Sequence, residues 1–162
     1  VSTLNPERLR FRWARVRPEL PPGIHEPKHK GDCGWDLSAM EDVIIRPTTT
    51  VDVPINCRLE LPSGYWAEMK PRSSIAKRGL QLDAGIIDEG YRGPLYVICR
   101  NTHLPEDPHM RRVDINTIEI KAGERIGQLI FHRLHELWSE EVDWIDVSAT
   151  SRGEAAFGST GQ

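Results

Sequence analysis

Cysteine is scarce in this chain: its 162 residues hold three, Cys33, Cys57 and Cys99. They are odd in number, widely spaced and without a C-x-x-C pair, which argues against a disulfide framework and against a thiolate zinc site. Reduced, mostly structural thiols are expected. Long apolar runs are also missing. None approaches the roughly 18 residues of a transmembrane helix, and the first residues lack the charged-then-apolar order of a secretory leader. A soluble, intracellular and cytoplasmic protein is therefore expected. Nor is there an excess of positive charge: Lys and Arg number 21 against 24 for Asp and Glu, a net charge of −3. That balance gives no general electrostatic reason to bind duplex nucleic acid or an anionic membrane. A small anionic ligand stays open wherever basic residues gather locally. The sequence has no G-x-x-x-x-G-K-[ST] phosphate loop, no G-x-G-x-x-G dinucleotide turn, and no H-x-E with P-C-x-x-C, so zinc-dependent deamination is disfavoured.

What is present reads as β-structure. Leu9, Phe11 and Trp13 alternate with Arg10 and Arg12, and Cys57, Leu59 and Leu61 alternate with Arg58 and Glu60, the period of two of half-buried strands. Short strands are expected near 9–16, 43–46, 49–53, 56–61, 65–70, 80–87, 94–100, 115–120, 125–133 and 138–146. Turn signals such as Pro62-Ser63-Gly64 and Lys121-Ala122-Gly123-Glu124 separate them. Many short strands at this spacing mean a sandwich, jelly roll or barrel, on a length suited to one core. One segment departs: Ser73–Gly79 has a serine start, helix-compatible residues and a glycine stop, and predicts a helix of one to two turns. Pro18–Lys30 and the insertion-like His103–Asp114 read as surface loops. His132 and His135 read as surface at a strand end. The domain is expected over 1–150, followed by a mobile tail over 151–162 that is too rich in Gly, Ser and Ala to supply a core.

Five segments could carry chemistry. Gly85–Gly93 frames Asp88 and Tyr91, three residues apart, with glycines that permit positive φ and close approach of a ligand, a rigid platform on a turn. Pro71-Arg72-Ser73-Ser74 gathers a guanidinium and two hydroxyls at the start of the short helix, an arrangement suited to an anion. Asp32–Ala39 places Asp36 between Gly34-Trp35 and a strand of small residues. Gly123–Ile130 leads into an apolar strand carrying one amide, Gln128, which must find a partner in protein or ligand. The tail Arg152–Gly161 combines Arg152, Phe157 and hydroxyls on a glycine frame, which suits a lid over a phosphorylated, ring-containing ligand.

Taken in this order, the five segments resemble the five motifs of the trimeric dUTPase (deoxyuridine triphosphate nucleotidohydrolase) family, over about Gly34 to Gly161. The resemblance implies an all-β, distorted jelly-roll β-barrel with one short helix and a flexible C-terminal arm, assembled as a homotrimer with active sites at subunit interfaces. It implies hydrolysis of dUTP to dUMP and pyrophosphate with Mg²⁺, which limits uracil incorporation into DNA and supplies dUMP for thymidylate synthesis. Carried over, Asp88 would orient and activate water and contact the sugar 3′-hydroxyl, and Tyr91 would pack on deoxyribose and exclude a 2′-hydroxyl. Backbone groups of Gly85 and Ile86 would read uracil. Arg72, Ser73 and Ser74 would hold phosphates, Gln128 would meet the α-phosphate and water, and Asp36 would help place hydrated magnesium. From the tail, Arg152 would reach the γ-phosphate, Phe157 would stack on uracil, and Gly158, Ser159 and Thr160 would close over the phosphates.

The chain departs from the family pattern at Ser74, Ala155-Ala156, Pro94 and Gly90, and in the length of the 103–114 loop. Two alternatives are weighed. The fold relative dCTP deaminase shares the Arg-Ser-Ser motif, but its catalytic glutamate would fall at Ile98, which cannot shuttle protons. A regulatory or binding protein on the same fold is the other, with Glu106, Asp107, Arg111 and Arg112 of the 103–114 loop as a partner surface. Whether the source is cellular, nuclear or viral is left open.

Overall fold

A computed structural model describes residues 9–105 and 116–151. Eleven strands and one short α-helix follow one another among them: β1 (Arg12–Ala14), β2 (Ile24–His25), β3 (Trp35–Ser38), β4 (Val43–Ile45), β5 (Thr50–Glu60), β6 (Tyr65–Pro71), α1 (Ser73–Lys77), β7 (Leu80–Asp83), β8 (Ile86–Ile87), β9 (Pro94–Asn101), β10 (Ile118–Ile120) and β11 (Arg125–Arg133). Four strands form one sheet in the order β1-β5-β9-β7, and five form a second in the order β2-β3-β11-β6-β8. A small pair, β10-β4, completes the set. The sheets do not close into a barrel, and the architecture is a distorted all-β jelly roll.

The core lies between the two large sheets. Val53, Ile55, Leu95 and Val97 from one meet Leu37, Ala67, Met69 and Leu129 from the other in a single buried cluster. Along β9 the burial alternates strictly, with Leu95, Val97, Cys99 and Asn101 inward, as the period of a pleated strand requires. Cys57 and Cys99 are buried in this core and Cys33 is exposed, and all three are free thiols. Burial pushes the Cys57 and Cys99 thiols up to about 12, which keeps them protonated and inert.

Four expectations need correction, each for a physical reason. The strands anticipated at 49–53 and 56–61 are one strand, β5, whose pairing with β9 shifts register between Ile55 and Arg58. Pro54 at that irregularity broke the alternation without ending the strand. The single strand anticipated at 80–87 is two, because Ala84 (φ 58°) and Gly85 (φ 118°) turn the chain out of one sheet and into the other. β7 pairs with β9, whereas β8 pairs with β6. The strand anticipated at 138–146 is absent. That segment holds a 3₁₀ turn, Trp144–Asp146, and no strand among the described residues offers it a ladder. The loop anticipated at Pro18–Lys30 contains β2, whose Ile24 is buried and pairs with Leu37.

Buried amides fix the irregular stretches. The Asn56 side chain donates to the carbonyls of Arg17, Leu20 and Pro21 and accepts the Arg17 N–H, so one side chain satisfies several backbone groups of a proline-rich segment that forms no ladder. Asn101 does the same at the base of the long loop, donating to the carbonyls of Ile45 and Asn116 and accepting the His103 N–H.

Candidate active site

Antiparallel pairing assembles the first half of the site. Asp36 on β3 stands opposite Gln128 on β11, and Gln128 stands opposite Lys70 on β6. Arg72 follows directly on the end of β6. Three motifs distant in sequence therefore meet at one end of the five-stranded sheet. Arg72 Nε lies 3.1 Å from Asp36 Oδ1, and Arg125 Nη1 lies 2.8 Å from Asp36 Oδ2. This half-buried carboxylate thus holds two guanidiniums side by side. Among the described residues Gln128 Nε2 makes one long contact, 3.4 Å to the Pro71 carbonyl. The amide that had to find a partner keeps most of its bonding capacity. Gly34 is dictated by Gln128, since a Cβ there would sit 2.2 Å from the amide oxygen.

Ser73 and Ser74 open α1 and are exposed. Neither caps the helix: Arg72 occupies that position and no side chain bonds there, while the Arg72 carbonyl accepts the N–H groups of Ile75 and Ala76. At its far end the helix is anchored by Arg78, which pairs with Glu124 and donates to the Glu119 carbonyl. Asp36, Arg72, Ser73, Ser74 and Gln128 together line a cavity of about 560 Å³. Arg125 and the loop around Lys28 line it too, and neither was singled out from sequence. Arg125 had a signal, a guanidinium where the Gly123-Glu124 turn enters its strand. Nearby, His25 Nε2 lies 2.9 Å from Ser38 Oγ, and burial, aided by the Arg125 charge, pushes the imidazole below its ordinary range.

The second half of the site forms where the chain crosses between sheets. Gly85, Ile86, Asp88 and Tyr91 line a separate cavity of about 290 Å³. Gly85 is required twice over: its φ is 118°, and a Cβ would stand 3.0 Å from Met69 Cβ and 3.1 Å from the Met69 carbonyl oxygen. The Met69 N–H donates to the Gly85 carbonyl at 2.8 Å. Beyond it, the Tyr91 N–H bonds to the Asp88 carbonyl at 3.1 Å and closes a turn. Glu89 accepts the Gly64 N–H at 2.8 Å, and Tyr91 Oη donates to the Pro94 carbonyl at 2.9 Å. The Tyr91 ring thereby lies over Gly93, where a Cβ would come within 2.3 Å of its hydroxyl. These bonds make the turn the rigid platform its glycines suggested. Asp88 itself is exposed and has no ion-pair partner among the described residues.

Ile98 lines this second cavity, flanked in register by Asp52 on β5 and Asp83 on β7. The Asp83 carboxylate accepts the Gln81 amide at 2.8 Å. The two carboxylates were not foreseen, since only strand pairing brings them beside Ile98. The structure thus groups the called residues into two cavities. Arg152, Phe157, Gly158, Ser159 and Thr160 lie outside the described residues, as do 106–114 of the long loop.

Among the described residues no cluster of three or more His, Cys, Asp or Glu side chains could hold a metal ion. Direct ligation by Asp36 does not suit its surroundings, because its carboxylate accepts a hydrogen bond from Arg125 and is ion-paired with Arg72 as well. A carboxylate offers about four lone-pair positions, however, so acceptor capacity remains. Contact with the water shell of a hydrated ion fits this donor set. Among the described residues no helix is long and apolar enough to cross a membrane.

Comparison with known proteins identifies the framework. A sequence model of the dUTPase family matches residues 23–161. The deoxyuridine 5′-triphosphate nucleotidohydrolase of Thermobifida fusca is 36% identical over 166 aligned positions, covering 99% of this chain and 85% of the relative. Among solved structures, the Staphylococcus bacteriophage 80alpha dUTPase with dUPNHPP superposes with a TM-score of 0.83 at 24% identity, covering 94% of this chain and 99% of that one. A mutant dUTPase from phage phi11 of S. aureus, with a coordinated structural Mg(II) ion, has a TM-score of 0.75 at 19% identity over 85% of this chain and 99% of that one. At those identities the two structures speak to the fold, whereas the family match and the bacterial relative speak to descent: the chain belongs to the dUTPase family.

Proposed function

We propose that this chain hydrolyses dUTP to dUMP and pyrophosphate. The observation that carries the proposal is the pair of cavities, one rich in guanidinium, hydroxyl and amide groups and one built on the Asp88–Tyr91 turn, on a chain of the dUTPase family. The first suits a triphosphate and the second a deoxyuridine. Because the called residues divide between two cavities of one chain, we place the complete site between subunits of a homotrimer.

In this reading Tyr91 packs against the deoxyribose, its ring held by Pro94 so that a 2′-hydroxyl would collide with it. Backbone groups of Gly85 and Ile86 read the edge of uracil. Arg72, Ser73 and Ser74 bind phosphate oxygens, and Gln128 orients the attacking water beside the α-phosphate. Asp88 accepts the proton as the water oxygen bonds to the α-phosphorus and the bond to the bridging oxygen breaks, releasing pyrophosphate. Magnesium, which we assign as the cofactor, would neutralise part of the roughly four negative charges of the triphosphate, and Asp36 would face its water shell. Arg152 would meet the γ-phosphate, Phe157 the uracil ring, and Gly158, Ser159 and Thr160 the phosphate chain. No covalent nucleophile is called for. The protein is proposed to act in a soluble, intracellular setting.

The test is a nucleotide panel with magnesium, following pyrophosphate and ammonia separately from dUTP, dCTP, dTTP and UTP. Pyrophosphate from dUTP alone is expected. Ammonia from dCTP would mean that a group other than Ile98 shuttles protons in the second cavity, and silence on all four would overturn the reading.

A further inference from the structure

The loop between β2 and β3 contributes Glu26, Lys28, His29 and Asp32 to the lining of the cavity that Arg72, Ser73 and Ser74 also line. None of these belongs to the segments singled out from sequence as phosphate-binding. The loop has a defined shape. Asp32 accepts the His29 N–H on its carboxylate at 3.2 Å and returns its own N–H to the His29 carbonyl at 3.2 Å, a closed turn of the kind aspartate stabilises. β2 fixes the loop's start by pairing His25 with Asp36.

Charge decides what this loop contributes. The fixed charges lining the cavity are Lys28, Arg72 and Arg125 against Glu26, Asp32 and Asp36. They balance, so a triphosphate is held there by where individual cations and donors stand and not by a net positive field. Arg72 and Arg125 are both committed to Asp36. Lys28 is exposed and forms no ion pair among the described residues, so it is the lining cation whose charge is not already consumed. A flexible ammonium on a closed loop can follow a phosphate as a point charge, without the planar geometry a guanidinium demands.

We propose that Lys28 is a further substrate-binding residue, contacting the β- or γ-phosphate in the cavity it shares with Arg72 and so favouring a nucleoside triphosphate over the monophosphate product. This rests on the dUTP-hydrolysing reading above and adds to it a determinant of triphosphate selectivity. Lys28 would share the distal phosphates with the metal ion and leave the nucleoside to the second cavity.

The experiment compares the full-length protein with Lys28→Gln and Lys28→Arg, measuring affinity for dUPNHPP and for dUMP by calorimetry at two salt concentrations, and KM and kcat for dUTP. Expected for Lys28→Gln is a loss of about five-fold in dUPNHPP affinity and a matching rise in KM, the size of an exposed charge pair. The salt dependence should be shallower, with kcat and dUMP affinity near wild type and Lys28→Arg largely restored. A Lys28→Gln protein that binds dUPNHPP as wild type does, or loses dUMP affinity equally, overturns the inference while wild-type turnover of dUTP leaves the parent reading standing. Wild type that neither binds dUPNHPP nor turns over dUTP overturns both.

Discussion

Asp88 stands at the head of a turn whose other polar groups are already committed: Glu89 to Gly64, Tyr91 to Pro94, and Arg92 to the carbonyls of Glu89 and Tyr91. Its carboxylate is the uncommitted proton acceptor of that platform. Asp88→Asn changes one atom, keeps the turn, and removes the acceptor. Turnover of dUTP should fall about 10²- to 10⁴-fold with dUPNHPP affinity within a few-fold of wild type; near-normal single-turnover rates would remove Asp88 from the role of base. Gly93 permits a separate test of the sugar pocket. The nearest atoms a methyl there would meet are the hydroxyl, Cζ and Cε2 of Tyr91, so Gly93→Ala should push the ring aside and break its bond to the Pro94 carbonyl, at a cost of about 1 kcal/mol. That movement should raise KM for dUTP and erode discrimination against UTP, read as the ratio of their kcat/KM values. Unchanged discrimination would mean that Tyr91 does not police the 2′-position.

At the scale of elements, the long loop is tied down at its roots. Asn101 is fully buried and satisfies the carbonyls of Ile45 and Asn116 and the N–H of His103, while Thr102 bonds twice to the Gly79 carbonyl and the His103 ring packs where a Gly79 side chain would be. Asn101→Leu would remove its hydrogen bonds to the Ile45 and Asn116 carbonyls and to the His103 N–H, the first of them fully buried, a cost of about 2–4 kcal/mol. The midpoint of thermal unfolding should drop by roughly 5–15 °C, measured calorimetrically. A shift of a degree or less would show that water replaces the amide. No feature of the sequence marked Asn101 or Asn56 for these tasks. A buried amide serves backbone groups that only the folded chain brings near, and local pattern carries no trace of them. What local pattern did carry was the pleat of β6, β9 and β11 and the helix after Pro71, since alternation and turn residues act within a few positions. The platform at Gly85–Gly93 was legible for the same reason. Arg125 and Lys28 were not, because their relevance depends on the pairing of β3 with β11 and of β2 with β3. The crossing at Ala84-Gly85 was half legible: glycine announced positive φ, but which sheet each flanking strand would join is a property of the whole fold.

At the scale of the molecule, the segment after β11 joins no sheet and leaves much of its apolar surface uncovered among the described residues. Leu137, Trp138, Trp144 and Ile145 are 89%, 84%, 75% and 89% exposed. Apolar side chains gathered this densely are not left in water without a partner surface. The segment expected as a strand at 138–146 also finds no ladder partner among the described residues. A homotrimer whose arms lie on neighbouring subunits accounts for both facts, and it would bring the phosphate-side cavity of one subunit toward the Tyr91 platform of another. The substitution that isolates this idea is Trp144→Ser with Ile145→Ser. Neither side chain supports the fold of the single chain, so the circular dichroism spectrum and unfolding midpoint at high protein concentration should change little. The assembly should weaken, since each buried apolar side chain contributes about 1.5–3 kcal/mol. Sedimentation velocity should show a smaller species at micromolar concentration, and specific activity should fall on dilution more steeply than for wild type. A trimer that persists with concentration-independent activity would place the subunit contacts elsewhere on the sheets. The arm would then need a different partner for its tryptophans, and the joining of the two cavities would need another explanation.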